Sequence, residues 1–177
     1  MTDPRFPIGR FSFDPSRAAA ERTSRIAMLA RAAAELRGTL EQLHPAQLEL
    51  SYRDGGWTVR QLVHHLADSH MLGFLRCKLA LTEREPALPW CAEDDWAQLA
   101  EGRTAPVEFS LTLLEGLHER WAILLGSLEP PEFARTVWLP QSGRSTLDEL
   151  VALYAWHARH HMAQIAGVRT VRRARTR

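Results

Sequence analysis

Apolar residues return every three or four positions along four stretches of this 177-residue chain, and a proline follows each of the first three within a few residues. That period belongs to helices with one buried face, and strands would alternate every two residues instead. The first stretch, residues 15–43, carries Ile26, Leu29, Ala33, Leu36, Leu40 and Leu43 and stops before His44-Pro45, where the proline disfavours another helical turn. The second, residues 58–82, follows the loop residues Gly55-Gly56. It opens with Thr58 and Gln61, spaced so that each side chain can satisfy the other's backbone N–H. The third, residues 106–128, aligns Leu114, Leu117, Trp121, Leu124 and Leu128 and ends at Pro130-Pro131. The fourth, residues 146–168, repeats the reciprocal cap with Thr146 and Glu149.

Four amphipathic helices of this length predict an all-α four-helix bundle. Residues 86–106, with Trp90, Asp94, Asp95 and Trp96, form one long loop whose tryptophans imply packing on the bundle. Residues 133–139, closed by Gln141-Ser142-Gly143-Arg144, read as a short extended excursion. The expected organisation is an N-terminal extension over residues 1–14, a bundle over 15–168 and a basic tail over 169–177.

With 45% hydrophobic residues the chain can build one core, and a net charge of +1 gives no general attraction to nucleic acid or anionic membrane. No apolar run approaches the roughly 20 residues of a membrane span, and residues 1–17 lack a signal-peptide core. Cys77 and Cys91 are too few for a disulfide framework. A cytoplasmic location is expected. Five arginines in the last nine residues read as a solvated end, so a nucleic-acid partner is not expected.

Six of the eight histidines fall in two clusters: His64, His65 and His70 on the second helix, and His157, His160 and His161 on the fourth. A buried imidazole needs a hydrogen-bond partner or a metal. On the fourth helix the stripe Leu147, Leu150, Val151, Tyr154 continues through His157 and His161 to Ile165 and Val168. These two histidines are one turn apart on one face and can converge on one cation. Ala158 stands where a zinc protease of the H-E-x-x-H type carries its glutamate, which excludes that class. On the second helix His65 shares the inward stripe with Leu62, Leu66 and Leu72, whereas His64 is turned about 100° away.

His65, His157 and His161 are therefore the candidate ligands of one divalent metal, with an open position for water or substrate. Zinc is the default, and nickel, iron, manganese or cobalt are alternatives. Asp68 is a candidate for orienting a ligand imidazole, and His160, like His64 and His70, for carrying a proton or supporting a ligand. Arg60 and Arg159 could grip an anionic substrate group. Trp57 and Trp156 read as packing anchors.

The run Tyr52-Arg53, Gly55-Gly56-Trp57-Thr58-Val59-Arg60-Gln61-Leu62-Val63-His64-His65-Leu66-Ala67-Asp68-Ser69-His70-Met71, with Tyr154-Ala155-Trp156-His157-Ala158-Arg159-His160-His161-Met162-Ala163-Gln164-Ile165, resembles the DinB/YfiT-like superfamily, its YfiT branch in particular. The likeness covers residues 7–165. It implies a four-helix bundle with a three-histidine metal site, metal-dependent hydrolase activity or S-transfer from a low-molecular-weight thiol such as bacillithiol, and a homodimer. By position the implied ligands are again His65, His157 and His161. Met162-Ala163-Gln164 departs from the tail that many relatives carry after the last histidine.

The expected function is that of a metal-dependent enzyme acting on small molecules. The lack of an obvious carboxylate base beside the ligands tilts the reading toward thiol transfer over hydrolysis, because a metal-bound thiolate needs no separate base. The rival is a non-catalytic metal-binding or stress-responsive interaction protein.

Overall fold

The structure, a computed structural model, describes residues 3–84, 86–87, 91–140 and 143–174, with side chains through Val168. Asp14 caps a short 3-10 turn that leads into α1, Ala18–Leu40. α1 ends three residues short of the expected boundary. A separate turn, Pro45–Glu49, takes over there: the His44 ring accepts from Ala46 N–H, and the Gln47 side chain accepts from His44 N–H. α2, Val59–Thr82, starts as its cap predicts, with Thr58 N–H donating to Gln61 Oε1 at 2.9 Å and Gln61 N–H to Thr58 Oγ1 at 3.2 Å.

The stretch expected as loop contains two short helices, α3 (Glu93–Gln98) and α4 (Ala100–Thr104). Gln61 Nε2 donates to the Ala97 carbonyl at 2.7 Å and fastens this stretch to α2. Trp90 lies outside the described residues. α5, Val107–Gly126, turns Leu114, Leu117, Trp121 and Leu125 inward. The excursion after it is a hairpin of β1, Thr136–Leu139, and β2, Gly143–Thr146, with Trp138 opposite Arg144; Gln141 and Ser142 lie outside the described residues. α6, Leu147–Ala174, continues six residues beyond the expected end. The side chains of the basic tail lie outside the described residues.

Around the bundle the order is α1, α5, α2, α6: α1 packs on α5 and α6, and so does α2. The two helices that follow each other in sequence, α1 and α2, thus face across the diagonal. Arg22 pairs with Asp148 to link α1 with α6, and Arg37 pairs with Glu108 and Glu115 to link α1 with α5. The consequence for the site is that the histidine face of α2 meets the histidine face of α6. No described helix is long and apolar enough to cross a membrane.

Close approach of α2 to its neighbours depends on Gly73. A Cβ there would overlap the Tyr154 ring of α6 and come within 2.6 Å of Trp121 Cη2 on α5. Both rings are buried in the core, so neither can swing aside freely. Gly73→Ala should therefore destabilise the protein by about 1–3 kcal/mol despite alanine's better helix propensity, read as a lowered urea midpoint. A raised midpoint would mean that the three helices are less closely packed than described.

Candidate metal centre

Three imidazole nitrogens converge where α2 meets α6. His65 Nε2 lies 3.2 Å from His157 Nε2, which lies 3.0 Å from His161 Nε2. Among the described residues these histidines form the one group of three or more potential ligands, with their nitrogens all within 4.8 Å of one another. Nitrogens bound at about 2.0–2.1 Å to a tetrahedral cation lie about 3.3 Å apart, close to the two separations seen. The donor set and spacing fit a divalent ion of the zinc type.

Tautomers fixed from outside support this fit. The Arg5 carbonyl can only accept, so the Gln164 atom 3.3 Å from it is the amide nitrogen. Gln164 Oε1 then accepts from His161 Nδ1–H at 2.8 Å, leaving His161 Nε2 as a bare lone pair aimed at the centre. The same amide nitrogen donates to His160 Nε2 at 3.1 Å. Behind His157 runs a second chain. With its Nε2 turned to the centre, His157 donates through Nδ1–H to His70 Nε2 at 3.3 Å, and His70 Nδ1–H donates to His118 Nε2 at 2.9 Å. Such partners hold a ligand ring in one tautomer and orientation.

Burial keeps this cluster neutral, as metal ligands must be. Desolvation, with His160 nearby, pushes His65 down to about 4, and desolvation alone takes His118 to about 4. Desolvation, followed by neighbouring histidines, holds His70, His157 and His161 well below the usual histidine range.

Two cavities open on the centre. One, of about 220 Å³, is lined by His65 and His157 together with Asp68, Arg76, Glu93 and Tyr154. The other, of about 370 Å³, lies against His65, His157, His160 and His161 and is bounded by Trp57 and by Arg5 and Phe6 of the N-terminal segment. Burial, then the charge of Glu101, raises Asp68 to about 6, and burial raises Glu93 as well. Asp68 thus lines the chamber, and no hydrogen bond from it to a ligand imidazole is present among the described residues.

The remaining sequence candidates fall in distinct places. His64 is committed to structure: its Nε2–H donates to the Ala105 carbonyl at 3.1 Å, and its Nδ1 accepts from the Ser110 hydroxyl at 2.7 Å. Arg60 is taken up by Glu49 and the Ala105 carbonyl, and Arg159 is exposed. Trp57 packs 4.6 Å from the His65 ring while its Nε1–H donates to Asp94. Trp156 stacks on His160 at 4.5 Å. Cys77 is buried, and its thiol is pushed up to about 12 by desolvation.

This fold recurs in known proteins. The sequence model described as the DinB superfamily matches residues 28–165. The chain belongs to the DinB superfamily. It is 42% identical over 169 residues to a Bacillus mycoides (strain KBAB4) protein named "Putative metal-dependent hydrolase", covering 96% of this chain and 97% of that one. A protein of the same description from Oceanobacillus iheyensis is 42% identical over 167 residues, covering 93% and 95%. Among solved structures, YfiT from Bacillus subtilis, described as a probable metal-dependent hydrolase with an unusual four-helix bundle topology, matches with a TM-score of 0.91 and 39% identity over 96% of this chain and 97% of that one. The diagonal placement of α1 and α2 in this DinB-superfamily chain is a departure from simple up-and-down order.

Sequence reasoning passed over His118, Gln164, Arg76 and Glu93. His118 stands four residues after Leu114 and three before Trp121, on the inward stripe. Gln164 stands three residues after His161, and Arg76 three full turns after His65. Spacing could have found His118 and Gln164; it places Arg76 on the His65 stripe but does not set it apart from a solvated arginine. Glu93 sits on a six-residue helix too short to show a period.

The depressed histidines set an acid limit for the metal-free protein. Unfolded histidines protonate at about 6.5, whereas His65 and His118 in the fold stay neutral down to about 4. Between those values the unfolded chain binds more protons, so stability is full above about 6.5 and falls by up to about 1.4 kcal/mol per pH unit for each such histidine. Asp68, raised to about 6, works in the opposite direction and offsets part of one of them. Urea titrations in chelator should show a midpoint that falls steadily on acidification through this window. A flat midpoint would mean that the imidazoles are not buried as a neutral cluster.

Proposed function

We propose that this DinB-superfamily protein is a metal-dependent enzyme in which His65, His157 and His161 hold one divalent cation, zinc by default, and in which small electrophilic molecules are hydrolysed. The observation that carries this reading is the convergence of three neutral imidazoles, two of which line a cavity that also contains carboxyl groups whose pKa burial raises. The names of the Bacillus mycoides and Oceanobacillus iheyensis relatives support the same chemistry. A cation at this centre would supply Lewis acidity, lowering the pKa of a coordinated protic group and polarising an electrophile.

The chain's own residues supply the rest. Asp68, one turn beyond His65, has a carboxyl near 6 and is largely ionised at neutral pH, so its oxygen can accept the proton that water gives up on attack. The same group returns that proton to the leaving group when the bond from the electrophilic carbon breaks. Gln164 and the His70–His118 pair keep the ligand rings in place and take no part in the exchange. Asp68 and Glu93 also remove the ground for the tilt toward thiol transfer, which rested on the lack of a carboxylate beside the ligands.

Thiol transfer remains a second reading on one specific observation. The two cavities lie against the same His65 and His157, an arrangement suited to a low-molecular-weight thiol on one side and its electrophilic partner on the other. A homodimer belongs to this proposal as well: Phe109, Leu113 and Ile123 are exposed along one stripe of α5 and supply the apolar surface for it. Composition supports a cytoplasmic location.

Purified protein should contain close to one divalent metal per chain, and the His157→Ala/His161→Ala variant should lose it. Metal-loaded protein should turn over activated esters or amides without added thiol, and Asp68→Asn should lose about 10²–10⁴-fold in rate, as expected for removal of a general base. Turnover that requires added thiol would establish the transferase reading instead. No turnover over a broad panel, or unchanged metal content in the double variant, would overturn the enzyme or the site respectively.

A further inference from the structure

Among the described residues most half-buried arginines are matched by carboxylates. Arg22 has Asp148, Arg25 has Glu21, Arg37 has Glu108 and Glu115, and Arg60 has Glu49. Arg76 is different. Among the described residues no carboxylate lies within ion-pair distance of it, and its one hydrogen bond is from Nη1–H to the Tyr154 hydroxyl at 2.6 Å. Its Nε is shielded from solvent and has no partner among the described residues. A guanidinium has five N–H donors in a fixed plane, and leaving them unmatched in a partly dry place is costly.

This guanidinium, with free donors and only the longer-range charge of Glu93 near it, lines the 220 Å³ cavity that also reaches His65 and His157. Arg76 is eleven residues beyond His65, and at about 100° per residue it returns to the same stripe of α2, roughly three turns along. Long side chains on a helix lean back toward its N-terminus, which brings the guanidinium toward the centre. Tyr154 fixes it from the other wall and stands one turn before His157 on α6. The cavity therefore has imidazole nitrogens at one end and a positioned guanidinium at the other.

We propose that Arg76, held by Tyr154, is the specificity determinant of this cavity and binds the carboxylate of a small substrate whose reacting group lies at the His65/His157/His161 end. The inference rests on the metal-centre reading above and names its substrate class: compact molecules with a carboxylate a few bonds from the reacting atom. A planar guanidinium with free donors pairs with a carboxylate through two parallel hydrogen bonds, which orients the ligand as well as holding it. Asp68 and Glu93 line the same wall.

The test uses full-length protein loaded with cobalt(II), whose visible and near-ultraviolet bands report a thiolate joining the metal. The probes are 3-mercaptopropionate and 2-mercaptoethanol, which share a thiol but differ in the carboxylate. Wild-type protein should bind 3-mercaptopropionate at least about tenfold more tightly, equivalent to about 1.4 kcal/mol. In Arg76→Gln that ratio should fall toward one, and Arg76→Lys should retain part of it, since an ammonium keeps the charge but not the paired geometry. Equal affinities for the two thiols in wild-type protein would overturn the carboxylate proposal while leaving the metal centre standing. Absence of a thiolate band with either probe would instead overturn the metal-centre reading. Because the wild-type ratio is decisive, the test survives a variant that fails to fold.

Discussion

Three imidazole nitrogens converging within 4.8 Å inside a helical bundle, two pairs of them 3.0–3.2 Å apart, are an unfavourable arrangement unless a proton or a cation lies among them. Much of the structure around the centre can be understood as maintaining that arrangement. Gln164 holds His161 from one side and His160 from the other, and the Arg5 carbonyl holds Gln164. The His70–His118 chain carries polarity deep between α2 and α5, where apolar residues would have packed more simply. Burial of five histidines without charge lowers acid stability, a loss that a cation bound among them would offset.

The bundle topology serves the same end. His65 of α2 can meet His157 and His161 of α6 only if those helices are neighbours, and the order α1, α5, α2, α6 makes them so. Gly73 permits the approach, with Tyr154 and Trp121 occupying the space that a side chain there would need. Tyr154 then has two tasks, since its ring fills the α2–α6 contact and its hydroxyl positions Arg76. The α3–α4 stretch, fastened to α2 through Gln61 and Ala97, closes one side of the cavity with Glu93.

What could be read from the sequence was what depends on neighbours in the chain. The start of α2 is a local matter of Thr58 and Gln61, and it was legible to the residue. Choosing His65 over His64 needed only helical phase, and the structure brings together the three histidines chosen that way. Partners distant in sequence were not legible. His64 turns to Ser110 and Ala105, and Gln164 owes its orientation to a carbonyl 159 residues away. The order of the helices was likewise hidden, because periodicity says which face is buried and not against what. Arg76 was overlooked for another reason. An arginine on a helix is ordinarily solvated, and only the missing carboxylate, a property of the folded chain, distinguishes it from Arg22 or Arg60.

The central claim is that three imidazoles hold one divalent ion and leave a position open. X-ray absorption at the zinc edge of zinc-loaded protein measures this directly. The spectrum should show three nitrogen ligands at about 2.0–2.1 Å with the outer-shell scattering of imidazole rings, plus one or two further oxygen ligands without such scattering. A sulfur ligand, or a shell without imidazole scattering, would contradict it.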